Sequence, residues 1–142
     1  MNTQNYKNHK RIVIGYHRVG AAALLLSLAG TVAYLFISGP EERYPAILIL
    51  LNTVVLAIVA YYARIFPLKA QDRAIRAEEN LRHYVLTGKP LPSGLRIAQI
   101  TALRFASDEE FVELAARAEQ QKLRSASIKQ AIKNWREDHH RV

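Results

Sequence analysis

Two charge-free stretches of twenty residues each constrain this chain more than any other feature. Val19–Ser38 reads VGAAALLLSLAGTVAYLFIS, and Tyr44–Ala63 reads YPAILILLNTVVLAIVAYYA. As helices, at about 1.5 Å per residue, each matches a hydrocarbon core of about 30 Å. A core helix of a soluble protein rarely runs so far without a charged face. Tyr34, Tyr44, Tyr61 and Tyr62 fall near the ends, where amphipathic rings favour a membrane interface. Only Gly39–Arg43 separates the two stretches. Gly39-Pro40 is a turn signal, and so short a connection makes the helices antiparallel neighbours. The sequence therefore predicts a transmembrane helical hairpin over residues 19–63, with spans 19–38 and 44–63. The first span follows a basic leader, as a signal peptide does. Its apolar run is too long for one and no A-x-A-like site follows, so a retained span is expected.

Charge is segregated rather than interleaved. Half of the 142 residues are hydrophobic and 23% are charged, with a formal net charge of +8. The leader, residues 1–18, holds Lys7, Lys10, Arg11 and Arg18 and no acid. Arg64, Lys69, Arg73 and Arg76 follow the second span, whereas the connection holds one arginine. The positive-inside rule then puts both termini in the cytoplasm, with residues 64–142 as a cytoplasmic helical tail. Lys10, Arg11, Arg18, Arg64 and Lys69 are the expected contacts to anionic lipid, each contributing about 1 kcal/mol near the surface. Nucleic acid would require a one-signed stripe. Basic and acidic residues alternate along most of the tail, so no nucleic-acid partner is expected.

The hairpin carries its own polar residues. Gly20, Ala23, Ser27, Gly30 and Thr31 make a stripe of small side chains suited to close backbone approach. On this reading Gly30→Leu separates the spans. Asn52 and Thr53 fall near mid-span. An amide in hydrocarbon needs a partner, and Thr31 or Ser27 across the hairpin is the expected one. Self-association through Asn52, or a polar pathway, are the alternatives.

Pro67 either kinks the second helix or starts a new one. A stem helix is predicted over 68–87, with Ala70, Ala74, Ala77, Leu81 and Tyr84 as a narrow apolar seam. Glu78–Arg82 is an i,i+4 pair on it. Gly88 fits the C′ position, and Pro90 and Pro92 stop the helix. Leu95–Ala106 reads as a buried helix. Ser107–Glu110 (SDEE) is a capping box, opening a helix that presents Phe111, Leu114, Ala115 and Ala118. Ser127 with Gln130 suggests a second box, before a helix presenting Ile128, Ala131, Ile132 and Trp135. The fold class is all-α: a hairpin, a stem and a small helical bundle. Alone, that bundle buries little core. Ala74, Ala77, Leu81, Tyr84 and Trp135 are the expected partner surface.

Little in the sequence is catalytic. There is no cysteine, no phosphate loop, no G-x-S-x-G and no H-E-x-x-H. Adjacent histidines, His139-His140, do not fix a metal geometry without a third ligand. Asp108, Glu109 and Glu110 are consecutive at a helix start, where capping explains them. His9, His17, Tyr6 and Tyr16 are expected at the lipid headgroups. No cofactor and no metal are expected.

Four stretches carry a resemblance: QNYKNHKR at Gln4–Arg11, KAQDRAIRAEENLRHYVLTGKPLP at Lys69–Pro92, QITALRFASDEEF at Gln99–Phe111 and IKQAIKNWREDHHRV at Ile128–Val142. They resemble an uncharacterised family of bacterial two-span membrane proteins. The resemblance implies location and architecture and supplies no catalytic residues. The leading expectation is a membrane-anchored helical interaction or accessory module, pairing with itself or another membrane protein through its spans and stem. An oligomeric transport or permeation element, built on Ser27, Thr31, Asn52 and Thr53, comes second. A membrane-bound enzyme using Asp108, Glu109 and His83 comes last.

Overall fold

The computed structural model describes residues 4–9 and 12–138. Its regular structure is helical, and the class is all-α. A π-helical turn, Gly15–Gly20, leads into α1 (Ala21–Ile37). Then come α2 (Arg43–Thr87), α3 (Ile97–Leu103), α4 (Asp108–Gln120) and α5 (Ser125–Ala131). One isolated antiparallel bridge joins Ala106 to Trp135. The chain forms two compact units. One is Ile12–Phe66; the other combines Met1–Arg11 with Pro67–Val142.

In the first unit, α1 and the start of α2 form a hairpin. Both helices are long and apolar enough to cross a membrane, and nearly all of their apolar surface is exposed. The turn closes through Glu42 N–H donating to the Gly39 carbonyl at 3.1 Å. At the other end the Tyr16 hydroxyl donates to the Ala60 carbonyl, which ties the entrance of α1 to α2.

Of the small-residue stripe, only Thr31 is buried. Gly20, Ala23, Ser27 and Gly30 are exposed, and a Cβ at Gly30 would meet nothing within 4 Å. Buried with Thr31 are Ser38, Ala46 and Thr53, and Leu24, Leu28, Leu35, Leu50, Ala57 and Ala60 are half-buried. Each helix thus turns inward a seam spaced by alternating fours and threes, the spacing of knobs packed into holes. Gly20, Ala23, Ser27, Ala57 and Ala60 line an open apolar groove of about 730 Å³. Small side chains on both walls leave that space unfilled, where close backbone contact is the sequence expectation. Asn52 is exposed and bonded to neither Thr31 nor Ser27. The threonines satisfy themselves locally: Thr31 donates to the Leu28 carbonyl and Thr53 to that of Ile49.

In the second unit, Pro67 lies inside α2 and neither ends nor restarts it. The helix ends at Gly88, whose φ of +71° is the left-handed C′ conformation that glycine takes without a Cβ penalty. Phe105, Phe111, Leu103 and Ile128 are fully buried and centre the core formed by α3, α4 and α5 with Ile75 of the stem. Gln99 fixes these parts together. Its amide donates to the Ala118 and Leu123 carbonyls at 2.9 and 3.0 Å, and its oxygen accepts from Arg96 N–H at 2.8 Å.

The last helix departs from expectation. It starts at Ser125 and stops at Ala131, without the Ser127–Gln130 box. Beyond it the chain is extended: Arg136 N–H donates to the Phe105 carbonyl, and Ser107 N–H to that of Asn134. Pairing with residues 105–107 satisfies these backbone groups in place of a further helical turn.

Gly30→Leu is therefore expected to leave hairpin stability within about 0.5 kcal/mol. Ala46→Leu, at a fully buried position, overpacks and costs about 1–3 kcal/mol. Thermal unfolding in detergent followed by circular dichroism separates the two outcomes.

Candidate interaction surface

The stem meets the tail through its polar face. Ile75, Glu79 and His83 are buried and Arg82 is half-buried, while Ala70, Ala74, Ala77, Leu81 and Tyr84 are all exposed. The apolar seam thus points away from the bundle that the sequence expects it to support. Leu81 is 63% exposed, Tyr84 57% and the adjoining Val85 74%. Leu81, Val85 and Leu86 line a shallow, mostly apolar depression of about 320 Å³ edged by Glu78, Arg82 and Asp108.

Arg82 makes the junction. Its guanidinium donates to Glu79 at 3.1 Å, to Asp108 at 2.6 and 2.7 Å, and to the Ala106 carbonyl at 2.8 Å. It also lies 4.3 Å from the centre of the Phe111 ring. Arg82 thereby takes Glu79 and Asp108 as acidic partners, where the i,i+4 rule suggests Glu78. Burial pushes the Glu79 carboxyl above its ordinary value of 4.5, and Arg82 opposes the shift.

The groups singled out for chemistry have structural partners. His83 Nδ1 lies 2.8 Å from the Lys89 carbonyl, and its ring stands edge-on to Phe111. With Thr87 and Asn80, which bond Lys89 N–H and Leu91 N–H, it holds the turn after the stem. Asp108 pairs with Arg82. Ser107 occupies the N-cap of α4 without a side-chain cap bond. Glu110 does not reach back to it; its carboxylate accepts from Lys133 N–H at 2.9 Å and Asn134 N–H at 2.8 Å, clasping the extended segment after α5. Among the described residues no cluster of three metal-ligating side chains occurs. His139-His140 lie outside the described residues, as do Lys10 and Arg11. Arg18 and Lys69 are exposed, and Arg64 is half-buried.

Residues 4–9 form a strap across the tail. His9 is buried, with its ring 5.9 Å from those of both Phe105 and Trp135. Its Nδ1 lies 2.7 Å from the Tyr6 carbonyl, which requires the proton there, leaving Nε2 to accept from Lys129 Nζ at 3.1 Å. Gln4 reaches across 134 positions to the backbone N–H of Asp138, from which its side-chain oxygen accepts at 2.8 Å. The headgroup placement expected for His9 gives way because the tail offers aromatic faces and hydrogen-bond partners at once. Trp135 is half-buried against Phe105 at 5.1 Å, so it belongs to the core face as well as to the surface. The sequence signal for the strap is weak: QNYKNHKR shows only polar residues around two rings.

Loss of Arg82 leaves Glu79 buried and uncompensated. Arg82→Leu is expected to destabilise the tail by about 3–5 kcal/mol at neutral pH, with part of the loss recovered in the Arg82→Leu, Glu79→Leu double variant. The pH dependence has a definite sign. Because the folded carboxyl titrates above 4.5, its contribution to stability is greatest at low pH and is lost as pH rises through the raised value. Glu79→Gln should flatten that part of the Tm–pH profile.

A family model described as a family of unknown function, DUF6526, matches residues 1–142, and the chain belongs to that family. No curated protein and no solved structure matches it significantly.

Proposed function

We infer that this member of a family without an assigned activity is a membrane-anchored interaction module, held by the hairpin and recognising a partner through its stem. The observation that carries the reading is the orientation of the stem. A helix that packs on its own tail with Glu79, Arg82 and His83 leaves Ala74, Ala77, Leu81, Tyr84 and Val85 open to solvent. Small residues at one end and large apolar ones at the other give a helical partner both close approach and anchoring area.

Membrane insertion is supported by two helices of sufficient length whose apolar side chains face outward. In water such a surface is a large unfavourable exposure; in lipid it needs no cover. The strap adds a topological argument. Residues 4–9 precede the first apolar helix and dock on a tail that follows the second. Two crossings return the chain to the side it left, so strap and tail meet without a further span. Lys7, Arg18, Arg64 and Lys69 flank the hairpin on that side against Arg43 at the turn, a bias that supports a cytoplasmic placement of that side.

Two measurements test the reading. A photo-crosslinking residue at Leu81 should give one constant adduct in native membranes, lost in Ala77→Glu with the fold intact by circular dichroism. An unchanged adduct, or none, would remove the stem as the recognition face. Reporter fusions at residue 1 and residue 142 should both read as cytoplasmic; opposite signs would break the two-span topology.

A further inference from the structure

Asn52 stands near the middle of the charge-free part of α2 with its amide on the exposed side. Among the described residues it has no hydrogen-bond partner, because Thr31 and Thr53 donate to carbonyls of their own helices. The residues that share its face follow at alternating intervals of four and three: Leu48, Asn52, Val55, Val59 and Tyr62. Apart from Asn52 they are apolar side chains about half exposed, at 45%, 46%, 57% and 46% in that order. This stripe lies on the side of α2 opposite Ala46, Thr53, Ala57 and Ala60, the side turned into the hairpin. The hairpin therefore neither covers the amide nor competes for it.

We propose that the Leu48–Tyr62 stripe is the interface between two parallel copies of this chain, with the two Asn52 amides hydrogen-bonded to each other. The inference rests on α2 crossing a bilayer. Copies inserted in one membrane share one orientation. A two-fold axis along the membrane normal then brings each residue to its own counterpart at the same depth. An amide carries both N–H donors and a carbonyl acceptor, so it is complementary to itself. Lipid offers neither group at that depth, and an unrelated helix offers both only if it carries a polar residue at the same level. A second copy always does. The spacing matches parallel two-stranded helices, in which one asparagine in an apolar seam fixes both register and strand number.

The absence of cysteine makes the test direct. Single cysteines are placed on the stripe (Leu48→Cys, Val55→Cys, Val59→Cys) and beside it at comparably exposed positions (Ile47→Cys, Val54→Cys, Ile58→Cys). Membranes are washed with alkaline carbonate, oxidised, and resolved without reductant. The expected result is a disulfide dimer from the stripe positions and none from the flanking ones. Asn52→Leu, introduced into the stripe variants, should weaken association about five- to thirtyfold. A chain missing from the washed membranes would overturn the membrane reading itself. A chain retained there would sink the dimer alone, with the anchor still standing, in any of three cases: no disulfide at the stripe, equal disulfides at both sets, or no response to Asn52→Leu.

Discussion

A single guanidinium, that of Arg82, reaches two carboxylates, one backbone carbonyl and one aromatic face from the side of the stem. Much of the tail's arrangement depends on it. It fixes the rotation of the stem about its own axis, because the side that carries Arg82 must face Asp108 and Ala106. With that side committed, Ile75, Glu79 and His83 go inward and the alanine–leucine seam goes outward. The polar contact decides which apolar surface the molecule presents. Planar, multi-donor geometry is what lets one residue do this; a lysine would supply the charge without the fork.

Satisfied backbone groups complete the bundle. Gln99 bonds three of them around α3 and α4, and Glu110 two more after α5. Each replaces a regular secondary-structure partner at a place where the short helices end. A unit with three helices of thirteen residues or fewer has many such ends, and unpaired groups there are expensive to bury. Long-range side-chain-to-backbone bonds are how a small core tolerates its short elements.

Much of this is legible in the sequence, for physical reasons that differ by element. The apolar helices are visible because a helix without charge over twenty residues has no face to offer water. The stem's end is visible because Gly88 and Pro90 act locally. The faces are not. Gly20, Ala23, Ser27, Gly30 and Thr31 look like a packing seam, yet only Thr31 of these lies on the seam in use, beside Leu24 and Leu28, a rotation that residue size alone does not specify. The capping box at Ser107 misleads for a related reason. Glu110 has a stronger claim from two free N–H groups 23 and 24 residues away, and a pattern four residues long cannot contain them. Spacing puts Trp135 on a helix, whereas it lies on an extended segment, because the 105–107 backbone offers partners there.

The strap of residues 4–9 makes the chain effectively circular. Its contacts with Lys129 and Asp138 join positions 120 and 134 residues apart, so the strap is seated only after that later segment has been made. Closing so long a loop adds little entropy beyond a shorter one, since the cost grows only with the logarithm of length. It does set an order of events: during synthesis the strap must wait for the segment that carries Lys129 and Asp138. His9 of the strap and Trp135 of the extended segment then bear on the same ring, Phe105, so changes in either segment would disturb one and the same part of the molecule.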